Sequence, residues 1–144
     1  MQYIGLQREE EAELWVRQRL GIDGAPDFFR ALSAVNEAGD FAFVVVLTNF
    51  SLRNVDINIA VDAKSVRPKA MISMYNEVFK YIFETLRIIR VTGLLRGRNI
   101  QAKRVTERFG FKLEGIMRSV FPDDDMHVYG LLAEDYHEHD WYRG

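Results

Sequence analysis

Arg90-Val91-Thr92-Gly93-Leu94, followed by Asn99-Ile100-Gln101-Ala102-Lys103-Arg104-Val105-Thr106-Glu107-Arg108-Phe109-Gly110-Phe111, is the stretch on which the fold turns. From Ile88 to Arg96 the run is short, apolar and rich in β-branched residues, which reads as a strand. Arg98-Asn99 then supplies a helix cap, since an Asn side-chain oxygen can accept from an unpaired N–H of the first helical turn. Ile100 to Phe109 has amphipathic helical spacing, and Gly110 offers the left-handed residue that ends it. Strand, cap, helix, glycine and a new strand from Phe111 give an α/β arrangement.

Working toward the N-terminus, a long helix is expected over about Arg67 to Leu86. Pro68 suits its first turn, and Met71, Tyr75, Val78, Ile82 and Leu86 line one side, with Ile72, Phe79 and Phe83 beside them. Before it, Val55, Ile57, Ile59 and Val61 alternate with Asp56, Asn58, Ala60 and Asp62, so one face of that strand is apolar and the other carries carboxylates and an amide. Phe41 to Asn49 is too β-branched and too short for a helix and reads as the strongest strand in the sequence. Phe28 to Asn36 is ambiguous between helix and strand; the turn Glu37-Ala38-Gly39-Asp40 that follows favours strand. A first helix runs from about Arg8 to Leu20, with Ala12, Trp15, Val16 and Leu20 on one stripe, Gly21 as its stop, and Glu9, Glu10, Glu11 and Glu13 in its first turns.

Toward the C-terminus, strands over Phe111 to Phe121 and Met126 to Leu132 flank an acidic turn at Asp123-Asp124-Asp125, and the polar tail Glu134 to Arg143 suits a short helix. After the first helix the expected order is β-β-β-α-β-α-β-β, without repeats, linkers or low-complexity tracts. The 144 residues suggest one domain spanning 1–144.

The formal charge of −2 argues against a protein that coats nucleic acid. It averages over four blocks: residues 1–63 carry −5, 64–86 carry +2, 87–118 carry +7 and 119–144 carry −6. Of 19 basic residues 14 are Arg, the cation suited to two-point contact with phosphate or carboxylate. The basic centre suggests an anionic ligand, although pairing with the acidic ends would produce the same pattern. With no Cys, disulfides, thiolate nucleophiles and zinc-thiolate sites are excluded, and a cytoplasmic location is the simplest expectation. No apolar run approaches the length of a membrane span, so no membrane partner is expected.

The quoted block resembles the strand-Asn-x-x-Ala-helix-Gly-Phe segment of the Gcn5-related N-acetyltransferase (GNAT) superfamily, especially its short bacterial and phage members. Lys112-Leu113-Glu114-Gly115-Ile116-Met117-Arg118 is similar to the Glu-Gly-x-x-Arg strand of those proteins, and His127-Val128-Tyr129-Gly130-Leu131-Leu132 to their closing strand. The resemblance covers about residues 30 to 133. It implies a mixed, largely antiparallel sheet with a central splayed pair of parallel strands and flanking helices.

The function it implies is acyl-coenzyme A-dependent N-acyl transfer, with acetyl-coenzyme A as co-substrate, no metal, and a small-molecule or protein amine as acceptor. The pantetheine arm would pair with Ile59, Ala60 and Val61 as an added strand in the gap between the two parallel strands. The pyrophosphate would lie at the start of the long helix near Arg67, Lys69 and Ala70. Asn99 and Ala102 match the second cofactor-contacting block, with Lys103 or Arg104 near the nucleotide phosphates. Asp56 and Asn58 would orient the base water or the acceptor amine, and a homodimer is compatible with the resemblance.

Two positions depart from the family's pattern. The phosphate loop, usually glycine-rich, reads Asp62-Ala63-Lys64-Ser65-Val66-Arg67-Pro68-Lys69-Ala70 with no glycine, and Thr106 stands where many members have a Tyr that protonates the leaving thiolate. An alternative is therefore a catalytically silent protein of the same fold that binds another protein, such as a phage protein modulating a host enzyme.

Blander readings stand beside each assignment. Asp56, Asn58 and Asp62 could be a solvated strand face, Arg67 and Lys69 plain surface charge, and Asn99 a helix cap alone. Arg96, Arg98, Lys103, Arg104 and Arg108 lack the interleaved aromatics of an RNA-binding patch, which disfavours nucleic acid. His127, His137 and His139 with the Asp123 to Asp125 run match no metal-ligand spacing.

Overall fold

The first helix forms where the sequence places its apolar stripe, and its C-terminus shows why it stops. α1 spans Glu9–Leu20, and Gly21 follows it in the left-handed region (φ 66°), donating its N–H to the Arg17 carbonyl. The structure, a computed structural model, describes residues 5–6, 8–21, 24, 26–62 and 64–138. The elements after α1 are β1 (Phe29–Val35), β2 (Phe41–Thr48), β3 (Asn54–Val61), α2 (Pro68–Lys80) with a π-helical turn over Tyr81–Thr85, and β4 (Arg90–Arg96). Then come α3 (Ile100–Arg108), β5 (Lys112–Phe121), β6 (Asp124–Leu132) and α4 (Ala133–Glu138). The strand order is β1-β2-β3-β4-β6-β5, antiparallel apart from the β3–β4 pair. This is the expected element order and the expected mixed sheet.

The chain divides into two units, with the boundary inside β3. In the first, residues 1–49 and 57–87, β1 pairs antiparallel with β2 from Phe29 opposite Thr48 to Val35 opposite Phe41, with an irregularity at Ala34/Val35. The ambiguous segment is thus a strand. Ala31 to Ala34 are all buried, as are Phe41 to Leu47 of β2, so both strands are covered on both faces, which explains why neither shows clean alternation. Ala12 and Val16 of α1 pack with Ala31, Phe41, Val44, Val46 and Ala60, and Trp15 and Leu20 flank that cluster.

α2 buries Met74, Tyr75, Val78 and Phe79, and its π-helical turn buries Ile82 and Phe83. Phe43 meets Tyr75 edge-on at 5.3 Å, and Phe79 stacks between Tyr75 and Phe83. The expectation of one α-helix to Leu86 needs correction. The last turn widens so that Leu86 donates to the Tyr81 carbonyl, at 2.9 Å, and Arg87 with φ 57° ends it.

The structure adds a role for Glu13, which the sequence groups with Glu9, Glu10 and Glu11 as acids in the first turns of the helix. It is buried, and both its carboxylate oxygens accept from the Arg17 Nε, at 2.8 and 2.7 Å. The i, i+4 spacing makes this pair local, and burial makes it matter.

The second unit comprises residues 50–56 and 88–144. β6 lies between β4 and β5 and is antiparallel to both, with Arg90 opposite Leu132 and Arg96 opposite Met126. Val91, Tyr129 and Leu131 share one face and are fully buried, and Phe109, Phe111 and Tyr136 are buried in the same unit. The Tyr129 hydroxyl donates to Glu107 Oε1 of α3 at 2.9 Å. β5, at the sheet edge, leaves Leu113, Ile116, Met117 and Val120 exposed.

The acidic turn is shorter than expected. Phe121 pairs with Asp124, so only Pro122 and Asp123 form the hairpin loop, and Asp124 and Asp125 belong to β6. The tail is helical as α4; His139 and the residues after it lie outside the described residues.

Two outcomes follow from these packing arrangements. Arg17→Ala strands the Glu13 carboxylate and should cost about 2 kcal/mol in urea denaturation, less than for a fully buried pair because the Arg17 side chain keeps 25% exposure. The double variant Glu13→Gln/Arg17→Ala should recover most of that loss.

Burial pushes the Tyr75 and Tyr129 hydroxyls up to about 12, with the Glu107 hydrogen bond adding to the shift at Tyr129. A raised folded-state value means that stability is intact below the unfolded value near 10 and falls as pH rises from there toward 12. Tyr129→Phe should therefore reduce the slope of stability against pH in alkaline urea titrations, while costing about 1 kcal/mol at neutral pH.

Candidate functional site

Ser51 sets the start of β3. Its Oγ accepts from the backbone N–H of Arg53 and of Asn54, at 3.2 and 2.9 Å, and its own N–H donates to the Asn54 carbonyl at 2.9 Å. The Arg53 carbonyl then accepts from both Ile89 and Arg90, at 3.1 and 3.0 Å, which aligns the beginning of β3 with β4. Asn54 and Asp56 share one face of β3, and Arg90 and Thr92 share one face of β4, because side chains two apart on a strand point the same way.

These four residues form a continuous hydrogen-bonded chain. Arg90 Nε donates to Thr92 Oγ1 at 3.2 Å, Thr92 Oγ1 donates to Asn54 Oδ1 at 2.6 Å, and Asn54 Nδ2 donates to Asp56 Oδ1 at 3.0 Å. At the other end the guanidinium holds Glu114 of β5 through two bonds, at 3.0 and 2.5 Å. The pair reaches across β6 at Gly130, where an added Cβ would collide with the Glu114 carboxylate. Arg90 holds Glu114 below the usual carboxylate range, and Glu114, with a smaller contribution from Asp56, pushes the guanidinium up. Of this chain the sequence reading singled out only Asp56. Asn54 was missed because the alternating strand was begun at Val55, although Asn54 lies two residues before Asp56 on the same polar face.

In the same unit Asn99 caps α3, its Oδ1 accepting from the Ala102 N–H at 3.1 Å. The two residues assigned to cofactor contact thus bind each other. Lys103 turns its Nζ to the Gly97 carbonyl at 3.2 Å. Arg98 pairs with Asp123 at 3.0 Å, its N–H donates to Asp124 at 2.9 Å, and Arg96 lies over the Phe121 ring at 3.9 Å. Asp124 is held below the usual carboxylate range chiefly by that N–H. The cations considered for an RNA patch are in good part tied to their own unit.

The other expected residues belong to the first unit. Asn58, Ile59 and Val61 are half-buried on β3 and Ala60 is buried. The Val61 carbonyl accepts a long bond, 3.4 Å, from Arg19 of α1. Asp62, grouped by alternation with the polar strand face, instead closes the following loop. Its carboxylate accepts from the Lys64 N–H at 3.3 Å and from the Ser65 hydroxyl at 2.9 Å, and its carbonyl accepts from the Ser65 N–H at 2.9 Å.

Arg67 precedes α2 in extended conformation with no side-chain cap, Arg67 and Lys69 are exposed, and Ala70 is half-buried. In the first turn of a helix the N–H groups lack intrahelical acceptors, so this end suits an anion. A surface depression in the second unit, lined by Glu107, Gly110, Phe111, Lys112, Asp135 and Glu138, includes none of the expected site residues. Among the described residues no group of three or more His, Cys, Asp or Glu could hold a metal ion, and no helix is long and apolar enough to cross a membrane.

No protein-family model matches the sequence, and no curated protein sequence does. Solved structures do match. Ribosomal-protein-S5-alanine acetyltransferase from Vibrio fischeri superimposes with a TM-score of 0.72 over 92% of this chain and 93% of that one, at 12% identity. A variant of the spermidine N-acetyltransferase from Vibrio cholerae matches with a TM-score of 0.66 over 83% and 72% of the two chains, at 18% identity. An acetyltransferase of the GNAT family from Bacillus anthracis matches with a TM-score of 0.61 over 72% and 66%, also at 18% identity. This chain therefore has the fold of the Gcn5-related N-acetyltransferases.

Proposed function

We propose that this protein is an acyl-coenzyme A-dependent N-acyltransferase that moves an acetyl group from acetyl-coenzyme A to an amine. The observation that carries this reading is the likeness to acetyltransferase structures along 92% of the chain. The exposed Arg67 and Lys69 at an uncapped helix start support it, as does a carboxylate, Asp56, held by neighbours on two strands.

In the reaction the acceptor amine loses a proton and attacks the thioester carbonyl carbon. The carbon–sulfur bond then breaks, and the departing thiolate takes up a proton. Asp56 and Asn58 orient the amine or the water that accepts its proton. Ile59, Ala60 and Val61 offer backbone groups to the pantetheine arm, and Arg67, Lys69 and the Ala70 N–H meet the pyrophosphate. Thr106, half-buried in α3, is a poor proton donor, so solvent is the source of the thiolate's proton. The acceptors in the structural neighbours' names, spermidine and an alanine of ribosomal protein S5, are the first to test.

One observation favours a second reading, a catalytically silent binding module. The loop before α2 is closed by Asp62 on Lys64 and Ser65 and has no glycine, so the backbone is not pre-shaped around a diphosphate.

Calorimetry with acetyl-coenzyme A separates the two. Saturable binding is expected, weakened about fivefold or more in Arg67→Ala and in Lys69→Ala, whereas no binding at about 1 mM ligand overturns the enzyme reading. Binding without release of free coenzyme A in the presence of spermidine or an alanyl peptide would favour the silent module. Asn99→Ala should cost about 1 kcal/mol in urea denaturation through loss of the cap, and should weaken acetyl-coenzyme A binding beyond what that destabilisation explains.

A further inference from the structure

β5 ends the sheet, and among the described residues its only strand partner is β6. Along it Leu113, Ile116, Met117 and Val120 are between 42% and 52% exposed. One exposed apolar side chain is ordinary, but a cluster of them on an open sheet edge is a template for another strand. The edge is regular only in part. Leu113 pairs with Tyr129 and Gly115 with Val128, so Glu114 is an extra residue. The ladder breaks again after Met117, where Ser119 takes φ 57° and donates its N–H to Asp125 Oδ1 at 2.8 Å. These irregularities oppose a long added strand and leave one regular stretch, Gly115-Ile116-Met117.

That stretch is complementary to itself. About a two-fold axis through Ile116, an antiparallel copy sets Ile116 opposite Ile116, Gly115 opposite Met117, and Glu114 opposite Arg118. A Cβ at Gly115 would meet no atom within 4 Å, so the space over it can receive the Met117 side chain of the other copy. Arg118 is exposed and forms no ion pair among the described residues, while Glu114, though paired with Arg90, keeps 40% of its side chain exposed. A strand of unrelated sequence would not repeat these three matches.

We propose that the outer edge of β5 is the interface between two copies of this chain, joined antiparallel about Ile116 into one continuous sheet. A two-fold contact uses the same edge on both copies, so assembly closes at a dimer. The paired stretch is short, which places the association among weak, reversible ones. Nothing in this proposal depends on the acyltransferase reading.

The test is sedimentation velocity on the full chain without ligand. Wild type is expected to pass from monomer to dimer as its concentration rises to about 200 µM. Ile116→Lys sets two ammonium groups against each other on the axis and should leave a monomer throughout that range, with the urea midpoint unchanged because the site is exposed. Arg118→Glu should weaken the dimer by about fivefold or more, since each copy then sets two carboxylates opposite one another. The chain has no Cys, so Ile116→Cys places a single thiol per copy on the axis; mild oxidation should give a covalent dimer, and Leu52→Cys, at a position 97% exposed and outside β5, should not.

A wild type that stays monomeric at about 200 µM overturns the proposal in favour of a strand from another protein. A dimer that survives Ile116→Lys overturns the choice of surface. Failure of Ile116→Cys to cross-link, or equal association of Arg118→Glu and wild type, overturns the two-fold through Ile116.

Discussion

The bond pair at the Arg53 carbonyl, which accepts from both Ile89 and Arg90, sets the arrangement around it. It brings two strands distant in sequence into parallel alignment at their N-terminal ends. Parallel neighbours need a long crossover, and α2 with its π-helical turn is that crossover. The register that follows puts Asn54 beside Thr92, and a misalignment of one residue would turn Asn54 and Asp56 to the opposite face and break the polar chain. The Ser51 turn is therefore more than a connection, since its hydroxyl shapes the backbone that presents the Arg53 carbonyl.

Charge separation along the sequence is partly offset within the second unit. The basic block 87–118 and the acidic block 119–144 meet in the Arg98–Asp123 and Lys112–Asp135 pairs and in the N–H of Arg98 on Asp124. Arg90 and Glu114 pair inside the basic block itself. Surface pairs of this kind contribute little to stability, about 0–1 kcal/mol each, and their consequence is to leave less positive charge for a polyanion. Arg67 and Lys69 are different: they flank a helix start with no acid in its first turn, which keeps that end suited to an anion.

Much of the fold was legible because its signals are local. Gly21 with φ 66°, Asn99 accepting from Ala102 and the apolar stripe of α2 are each encoded within a few residues, whereas the alternation expected for β3 holds only through Ile57, since Ala60 rather than Ile59 or Val61 is buried beyond it. The departures arise where a local pattern is compatible with more than one outcome. A helix stripe does not fix whether its last turn is α or π, and burial of Ile82 and Phe83 accompanies the latter. A run of three Asp reads as a turn by composition, yet pairing of Phe121 with Asp124 confines the loop to two residues. The Glu13–Arg17 spacing was visible, but whether that face of α1 meets solvent or the sheet depends on residues far along the chain.

The site divides along the same line. Sequence alone determined the order of elements, the strand face bearing Asp56 and Asn58, the cap at Asn99 and the basic start of α2, because period, capping and charge are properties of neighbouring residues. Only the tertiary structure decided that Asp62 closes its own loop, that Lys103 turns to Gly97, and that Asp56 is joined through Asn54, Thr92 and Arg90 to Glu114. The physical reason is that a hydrogen bond between side chains 38 residues apart, as between Thr92 and Asn54, is fixed by strand pairing and register, which no local pattern contains.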